Sequence, residues 1–517
     1  MQNLFQDERS ISDIFLLIRG LSQSEKAYYK KMAKRHADQN SALHLRLFSL
    51  IENNELPDEN QLCESLKIEN KIHFSGIKSY MYKDVLDTLV FQKRNNCVDT
   101  QLYFMLEQIS LLQEKNLVHL SEKICKKAIL LAEKFQKYHY LILLLHLQNR
   151  ILEFKNYKQF SDTSRAIFSK LEQAVFLQKA CAENRFLYER ARALTYRTWL
   201  PITSDELIEI RKVGALLGGL KPLDDKQPLI SLFYLNTLAL CRYMFHETDL
   251  CTATCHDMAE LWKMHPHLIN EYPLLFLNSV NTTCYNNFLC KNIRKANDDI
   301  DAYAQLVKTY LAKESYRKHF EIILFNTALK VHLKSAEFGA LERLLNEKLA
   351  TVFECLLPVL SAPEQLSVKC SVCISFFVLE QLDQAEHLLA VIKEQNRAIK
   401  RDDILYFCLL FDLVILYEQE KWNQLDSDLK TAYHFLYCRK KLRPFERDLM
   451  LFLGRLSDAH SKAAANRLIS NFLKMKRAKT DNPDENLYLL YFNYYGWLES
   501  KLMKMRYMEY VKQHTCH

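Results

Sequence analysis

The residues best suited to chemistry fall into short clusters, and most of those clusters are incomplete. His246-Glu247 opens the pattern of a zinc-protease helix, but Leu250 stands where the second histidine ligand belongs. Ser75-Gly-Ile-Lys78 has the spacing of a serine–lysine nucleophile pair, without the partner motifs such an enzyme needs. No GxGxxG and no GxxxxGK occurs, so the glycine-rich cradles for dinucleotides and triphosphates are missing. Cys251, Cys255 and His256 sit close together, and His265-Pro-His267 follows nine residues on. Cys251 and Cys255 at i, i+4 would face the same way, so a tetrahedral Cys/His site is conceivable. Cys370-Ser-Val-Cys373 is CxxC-like, but it lies in an apolar run and has no second pair. Core cysteines and exposed turn histidines are the simpler reading of both. The expectation is therefore a non-enzymatic protein with no catalytic residue, no metal and no cofactor.

Asparagine carries a sharper signal. Asn236, Asn281 and Asn326 are spaced 45 residues apart, each inside an apolar helical pattern. Asparagine is a poor helix-interior residue, because its amide competes for backbone hydrogen bonds. Equal phase in three successive helices puts the three amides on one surface. Each amide offers donors and an acceptor. Tyr285 and Lys330 follow Asn281 and Asn326 by four residues, on the same faces. Arg190 and Arg197, at i, i+7, could supply charge one repeat earlier. The alternative is that these amides tie neighbouring helices together.

The elements that position these residues are legible in the composition. Only 8 of 517 residues are glycine and 10 are proline. Average usage would give about 36 and 26. Turns that need φ > 0 and close backbone approach are therefore scarce, and helices joined by short turns are the natural reading. Hydrophobic residues make up 49% and charged residues 26%, which suits a folded chain rather than a disordered one. The longest apolar run, Ile404 to Tyr417, contains Asp412 and is too short for a bilayer. The N-terminus shows no basic segment followed by an apolar one, so no signal peptide is read. Fifteen cysteines, scattered without a framework, read as reduced thiols in a cytoplasmic protein.

One local figure recurs: an apolar helix, a short polar turn with an apolar anchor, then an amphipathic helix. The anchors are Leu117, Tyr157, Ile293, Phe338, Leu382 and Trp422, with a weaker copy at Thr248. Successive spacings are 40, 91, 45, 45, 44 and 40 residues. The interval of 91 is two periods, and a degenerate copy is expected near Trp199. Two helices plus two turns fill one period. One such hairpin cannot bury its apolar faces alone, but a stack of them makes a continuous core.

This pattern resembles the tetratricopeptide-repeat superfamily. Phe376, Leu382, Ala385 and Leu389 occupy that family's large–large–small–large packing positions, and Leu416, Trp422 and Leu429 do so one repeat later. Leu425 stands where a small residue is usual, and Glu380 and Glu420 replace the usual turn glycine. The resemblance covers roughly residues 100–460. It implies an all-α fold, an α-solenoid of about eight or nine stacked antiparallel helical hairpins. It also implies that the Asn phase faces a concave groove able to hold a peptide backbone. The leading expectation is a cytoplasmic scaffold that binds a protein or peptide partner.

Residues 1–95 do not share the repeat and are expected to form an N-terminal helical cap domain, with a capping box at Ser22-Gln-Ser-Glu25. The solenoid is expected over 96–517, with a hinge at the Gly/Pro-rich stretch 217–229 and a basic C-terminal cap over 430–517. Residues 430–517 hold 17 basic and 8 acidic side chains, while the rest of the chain is near neutral. The basic patch comprises Arg439, Lys440, Lys441, Arg443, Lys474, Lys476 and Arg477. Two alternatives follow: a regulator whose N-terminal helices bind DNA, and nucleic-acid binding through the basic C-terminal segment beside Tyr488, Tyr491, Phe492, Tyr494, Tyr495 and Trp497. No membrane partner is expected.

Overall fold

The computed structural model describes residues 11–35, 39–53, 59–68, 70–95, 97–153, 157–197, 204–220, 226–245, 247–289, 293–438, 444–457, 462–477 and 492–514. Among the described residues the chain is all-helical, with 24 α-helices and no strand. No described helix is long and apolar enough to cross a membrane. The chain divides into two compact units, residues 1–177 and 178–517. Composition points instead to 95 and to 217–229, and residues 221–225 of that stretch lie outside the described residues.

In the first unit, α1 (Ile11–Gly20), α2 (Gln23–Arg35), α3 (Gln39–Asn53), α4 (Glu59–Leu66) and α5 (Lys71–Gln92) build a core of their own. Ile18, Tyr29, Leu47, Phe48 and Met81 lie fully inside it. The capping box forms as written: the Ser22 backbone N–H donates to Glu25 Oε2 at 2.9 Å, and the Glu25 N–H reaches Ser22 Oγ at 3.3 Å. Then come α6 (Val98–Glu114), α7 (Val118–Lys134) and α8 (Tyr138–Glu153), each packed on the next.

The 41-residue α9 (Tyr157–Arg197) spans the division between the units. The sequence pattern anticipates a second helix and the next first helix here. Polar residues separate the two patterns, but none breaks a helix, so they fuse. Trp199, the expected site of the next turn, lies outside the described residues.

The second unit continues with α10 (Ser204–Gly218) and then six helix pairs. They are α11 (Pro228–Met244) with α12 (Thr248–Met264), α13 (Pro273–Leu289) with α14 (Ile293–Tyr310), and α15 (Glu314–Lys334) with α16 (Phe338–Thr351). The next are α17 (Ala362–Val378) with α18 (Leu382–Ile399), α19 (Asp402–Glu418) with α20 (Trp422–Cys438), and α21 (Pro444–Ser457) with α22 (Lys462–Arg477). Two short helices, α23 (Tyr494–Leu502) and α24 (Tyr507–His514), close the unit. Each anchor from Thr248 to Trp422 is the first residue of a second helix. First helices also pack on one another in succession, α11 on α13, α13 on α15, α15 on α17 and α17 on α19. That position explains their composition. The first helix α19 is buried along most of its length, whereas α18 buries one stripe, Ala385, Leu388, Leu389 and Ile392.

The turns work without glycine. Asn116, Gln136, Ala336, Glu380 and Glu420 all adopt left-handed backbone, with φ between 54° and 61°. Each is followed by an N–H that bonds back five residues, as Gln381 does to Phe376 O at 2.9 Å and Lys421 to Leu416 O at 3.0 Å. This is the Schellman closure of a helix C-terminus, normally built on glycine at the left-handed position. None of the eight glycines has a positive φ.

Candidate functional site

The row of first helices presents a pocket in the second unit, with polar side chains set into a mostly apolar lining. It is lined by Tyr188, Arg192 and Thr195 of α9, Leu240 and Tyr243 of α11, and Asn278, Asn281, Thr282 and Tyr285 of α13. Pro363 and Glu364 open α17, and Arg401 precedes α19. The pocket is a partly open recess. A second, shallower hollow shares Asn281, Tyr285 and Glu364 and adds His319 and Asn326 of α15.

Much of the lining is locked by hydrogen bonds. Arg401 is buried and forms a two-pronged ion pair with Asp403, Nε to Oδ1 at 3.1 Å and Nη2 to Oδ2 at 2.5 Å. Its Nη1 also donates to Pro363 O and Ser367 Oγ, both at 2.8 Å. Glu364 sits in a capping box that starts α17, accepting from the Ser361 N–H at 3.0 Å and from Ser361 Oγ at 2.6 Å. His319 Nε2 stands 3.9 Å from Glu364 Oε1. Burial pushes the His319 imidazole toward its neutral form, and the Arg192 charge adds to that, against Glu364. Asn278 Nδ2 donates to the Tyr188 hydroxyl at 2.7 Å.

Several groups at the two hollows have unused hydrogen-bonding capacity, three of them in successive first helices. Tyr243 is 7% exposed, and its hydroxyl makes no hydrogen bond among the described residues. The half-buried Asn281 carboxamide makes none either. Asn326 donates from Nδ2 to the Tyr285 hydroxyl at 3.3 Å, but its buried Oδ1 has no partner. Buried polar groups normally find partners; of these three only Asn326 Oδ1 is fully buried, while Asn281 lies where the two hollows meet.

Lys330 Nζ lies 3.9 Å from the centroid of the Tyr285 ring. Burial, reinforced by the Arg401 charge and opposed by Cys370 and Cys284, pushes its ammonium down to about 7. Burial likewise drives the Tyr285 and Tyr243 phenols upward, so both stay neutral at physiological pH.

The sequence-derived candidates separate into three groups. Asn281, Asn326 and Tyr285 line the pockets, and Lys330 stands over Tyr285. Asn236 does not join them. It is 1% exposed and tied between helices, its Nδ2 donating to Ser279 Oγ at 2.9 Å and Leu232 O at 2.8 Å, while Ser279 also receives Trp262 Nε1. The correction has a physical reason. Small Ser279 lets the two helices approach, and the amide fills the gap as a structural tie. Arg190 pairs with Glu209 of α10 and is absent from the pocket lining, where Arg192 stands instead. The side chains of Arg197, Lys476 and Arg477 lie outside the described residues, as do Arg439, Lys440, Lys441 and Arg443; Lys474 is exposed.

Sequence reasoning missed Tyr243, Asn278, Glu364 and Arg401. The stripe Asn278, Asn281, Tyr285, at i, i+3, i+7 in one first helix, was the signal available. Glu364 and Arg401 act at helix starts, where no periodic pattern marks them.

The other clusters make packing and hydrogen-bond contacts where they are described. Cys251 Sγ lies 3.4 Å from Ala239 O, and the Cys255 thiol is driven well up by its hydrogen bond with Cys251 and by burial. His256 pairs with Asp299 at 3.2 Å instead of turning toward those thiols. Cys373 Sγ contacts Ala385 O at 3.3 Å, inside the core. The C-terminal rings Phe492, Tyr494 and Trp497 are buried, with Trp497 Nε1 bonded to Glu418 Oε1 at 2.6 Å. In α5, Lys78 is buried, which leaves Lys83 as the exposed lysine of that helix among side chains described.

No family model matches this chain, and no curated protein matches it.

Proposed function

We propose that the second unit is a non-enzymatic binding scaffold of stacked helical hairpins, an α-solenoid of tetratricopeptide type. Its first-helix surface serves as the concave groove for a peptide or protein segment. The observation that carries this reading is the set of unpartnered neutral groups, Tyr243 on α11, Asn281 on α13 and Asn326 on α15, along three successive first helices. Packed helices lie about 8–10 Å apart. An extended chain advances about 3.3 Å per residue, so a bound segment would meet a new helix every three residues or so. The buried, unreactive thiols fit a reducing cytoplasm.

The test is hydrogen–deuterium exchange of the full chain with and without a degenerate hexapeptide pool. Protection is expected in α11, α13 and α15, and it should vanish in an Asn281→Trp variant, whose indole fills the pocket. Protection elsewhere alone, or none, refutes the reading.

A further inference from the structure

The charges at the pocket cancel. Arg192 and Arg401 supply two cations, Glu364 and Asp403 two anions, and Arg401 and Asp403 already satisfy each other at 2.5 Å. The two remaining basic groups nearby, His319 and Lys330, are both pushed toward neutrality, chiefly by burial. A cation brought into the site would meet the same desolvation. An anion would meet Glu364 as well as Arg192, so the lining offers no net charge for either sign. What the site lacks is a neutral hydrogen-bonding partner with both donors and an acceptor.

We propose that the pocket selects a segment bearing an uncharged carboxamide side chain, asparagine or glutamine, which pairs with the Asn281 carboxamide and the Tyr243 hydroxyl. This rests on the peptide-binding reading above and specifies its ligand. Two carboxamides satisfy each other through a pair of N–H···O bonds, with one donor and one acceptor on each side. The Tyr243 hydroxyl then donates to, or accepts from, the ligand amide's remaining capacity. A carboxylate side chain cannot donate, and an ammonium cannot accept, so each leaves one side of the half-buried Asn281 carboxamide unpaired. Discrimination against such analogues is strong when the site's polar groups are desolvated.

The same degenerate hexapeptide pool, retained on the full chain and sequenced, tests this. Asparagine and glutamine should be enriched at one register, with Lys, Arg, Asp and Glu depleted there. A peptide carrying glutamine should lose about tenfold in affinity when that residue becomes glutamate or lysine, close to 1.4 kcal/mol. Asn281→Leu and Tyr243→Phe should each remove the preference, with circular dichroism confirming unchanged helix content. Enrichment of a charged residue at that register overturns the proposal, as does a carboxamide preference that survives both variants. Peptides retained without any enrichment refute this inference and leave the groove standing. No peptide retained refutes both.

Discussion

Glu420→Gly, Glu380→Gly and Ala336→Gly, combined, should stabilise the second unit. All three positions hold left-handed backbone, with φ of 56°, 61° and 55°. An L-residue there costs about 1–2 kcal/mol relative to the right-handed region, and glycine does not incur that cost. Against it stands the greater freedom glycine gives the unfolded chain, roughly 0.5–1 kcal/mol per site. Side-chain losses are small. Glu420 is exposed and pairs with nothing among the described residues. Glu380 forms an exposed pair with Arg506 at 3.1 Å, of a kind contributing about 0–1 kcal/mol. Ala336 gives up one partly buried methyl. The net is about 0.5 kcal/mol per site, near 1.5 kcal/mol together, if distant turns add. For a unit of this size the unfolding entropy makes that only about 2 °C in Tm, so the urea midpoint of the second unit's transition is the better readout. The control is Glu380→Ala with Glu420→Ala, which keeps the left-handed cost and should leave the midpoint nearly unchanged. A glycine triple no more stable than this control would refute the idea that these turns carry backbone strain.

Gly496→Ala should destabilise by about 1–3 kcal/mol through overpacking, because a Cβ there would lie 2.7 Å from Asn493 Nδ2 and 2.9 Å from Tyr510 Cε1. Gly214→Ala meets nothing within 4 Å and should stabilise its helix by up to about 1 kcal/mol; urea titration separates the two. Asn236→Ala should cost about 2–3 kcal/mol, since it opens a gap and strips Ser279 of a partner, yet leave peptide affinity within twofold, measured by anisotropy. The Lys330 ammonium, held near 7 in the fold, binds fewer protons than the unfolded chain between about pH 7 and its ordinary value. Stability should therefore rise with pH across that window, and Lys330→Met should remove this part of the slope in urea titrations from pH 7 to 10.

The helices and their pairing were legible because period and burial are coupled. A first helix packed on both sides must be apolar all round, as Ile404–Tyr417 is, and a second helix must not. The anchors were legible by their spacing and not by burial: Phe338 enters the core, whereas Leu117 and Trp422 stay largely exposed at their turns. Three things were hidden. The fusion of two expected helices into α9 depended on the absence of any breaker near its middle, and absence leaves no pattern. The fate of the three asparagines depended on their neighbours. Asn236 faces Ser279, which accepts its amide, whereas Asn281 faces open space. Equal phase placed them on comparable positions of three helices, but the opposing residue decided which became a tie and which stayed available. Glu364 and Arg401 owe their local positions to a capping box and a helix-start ion pair, and only the Arg401 bonds to Pro363 O and Ser367 Oγ bring them to one place.

The most direct test of the binding claim is the fluorescence anisotropy of a labelled hexapeptide carrying glutamine, chosen from the retained pool. It is titrated with the wild-type chain and with the Tyr243→Phe/Asn281→Leu double variant, beside a labelled generic single-stranded DNA across a salt series. Saturable peptide binding that is nearly insensitive to salt is expected, with an affinity at least tenfold weaker in the double variant. Equal peptide affinity in both proteins would contradict it, as would DNA binding that falls steeply with salt while the peptide fails to bind.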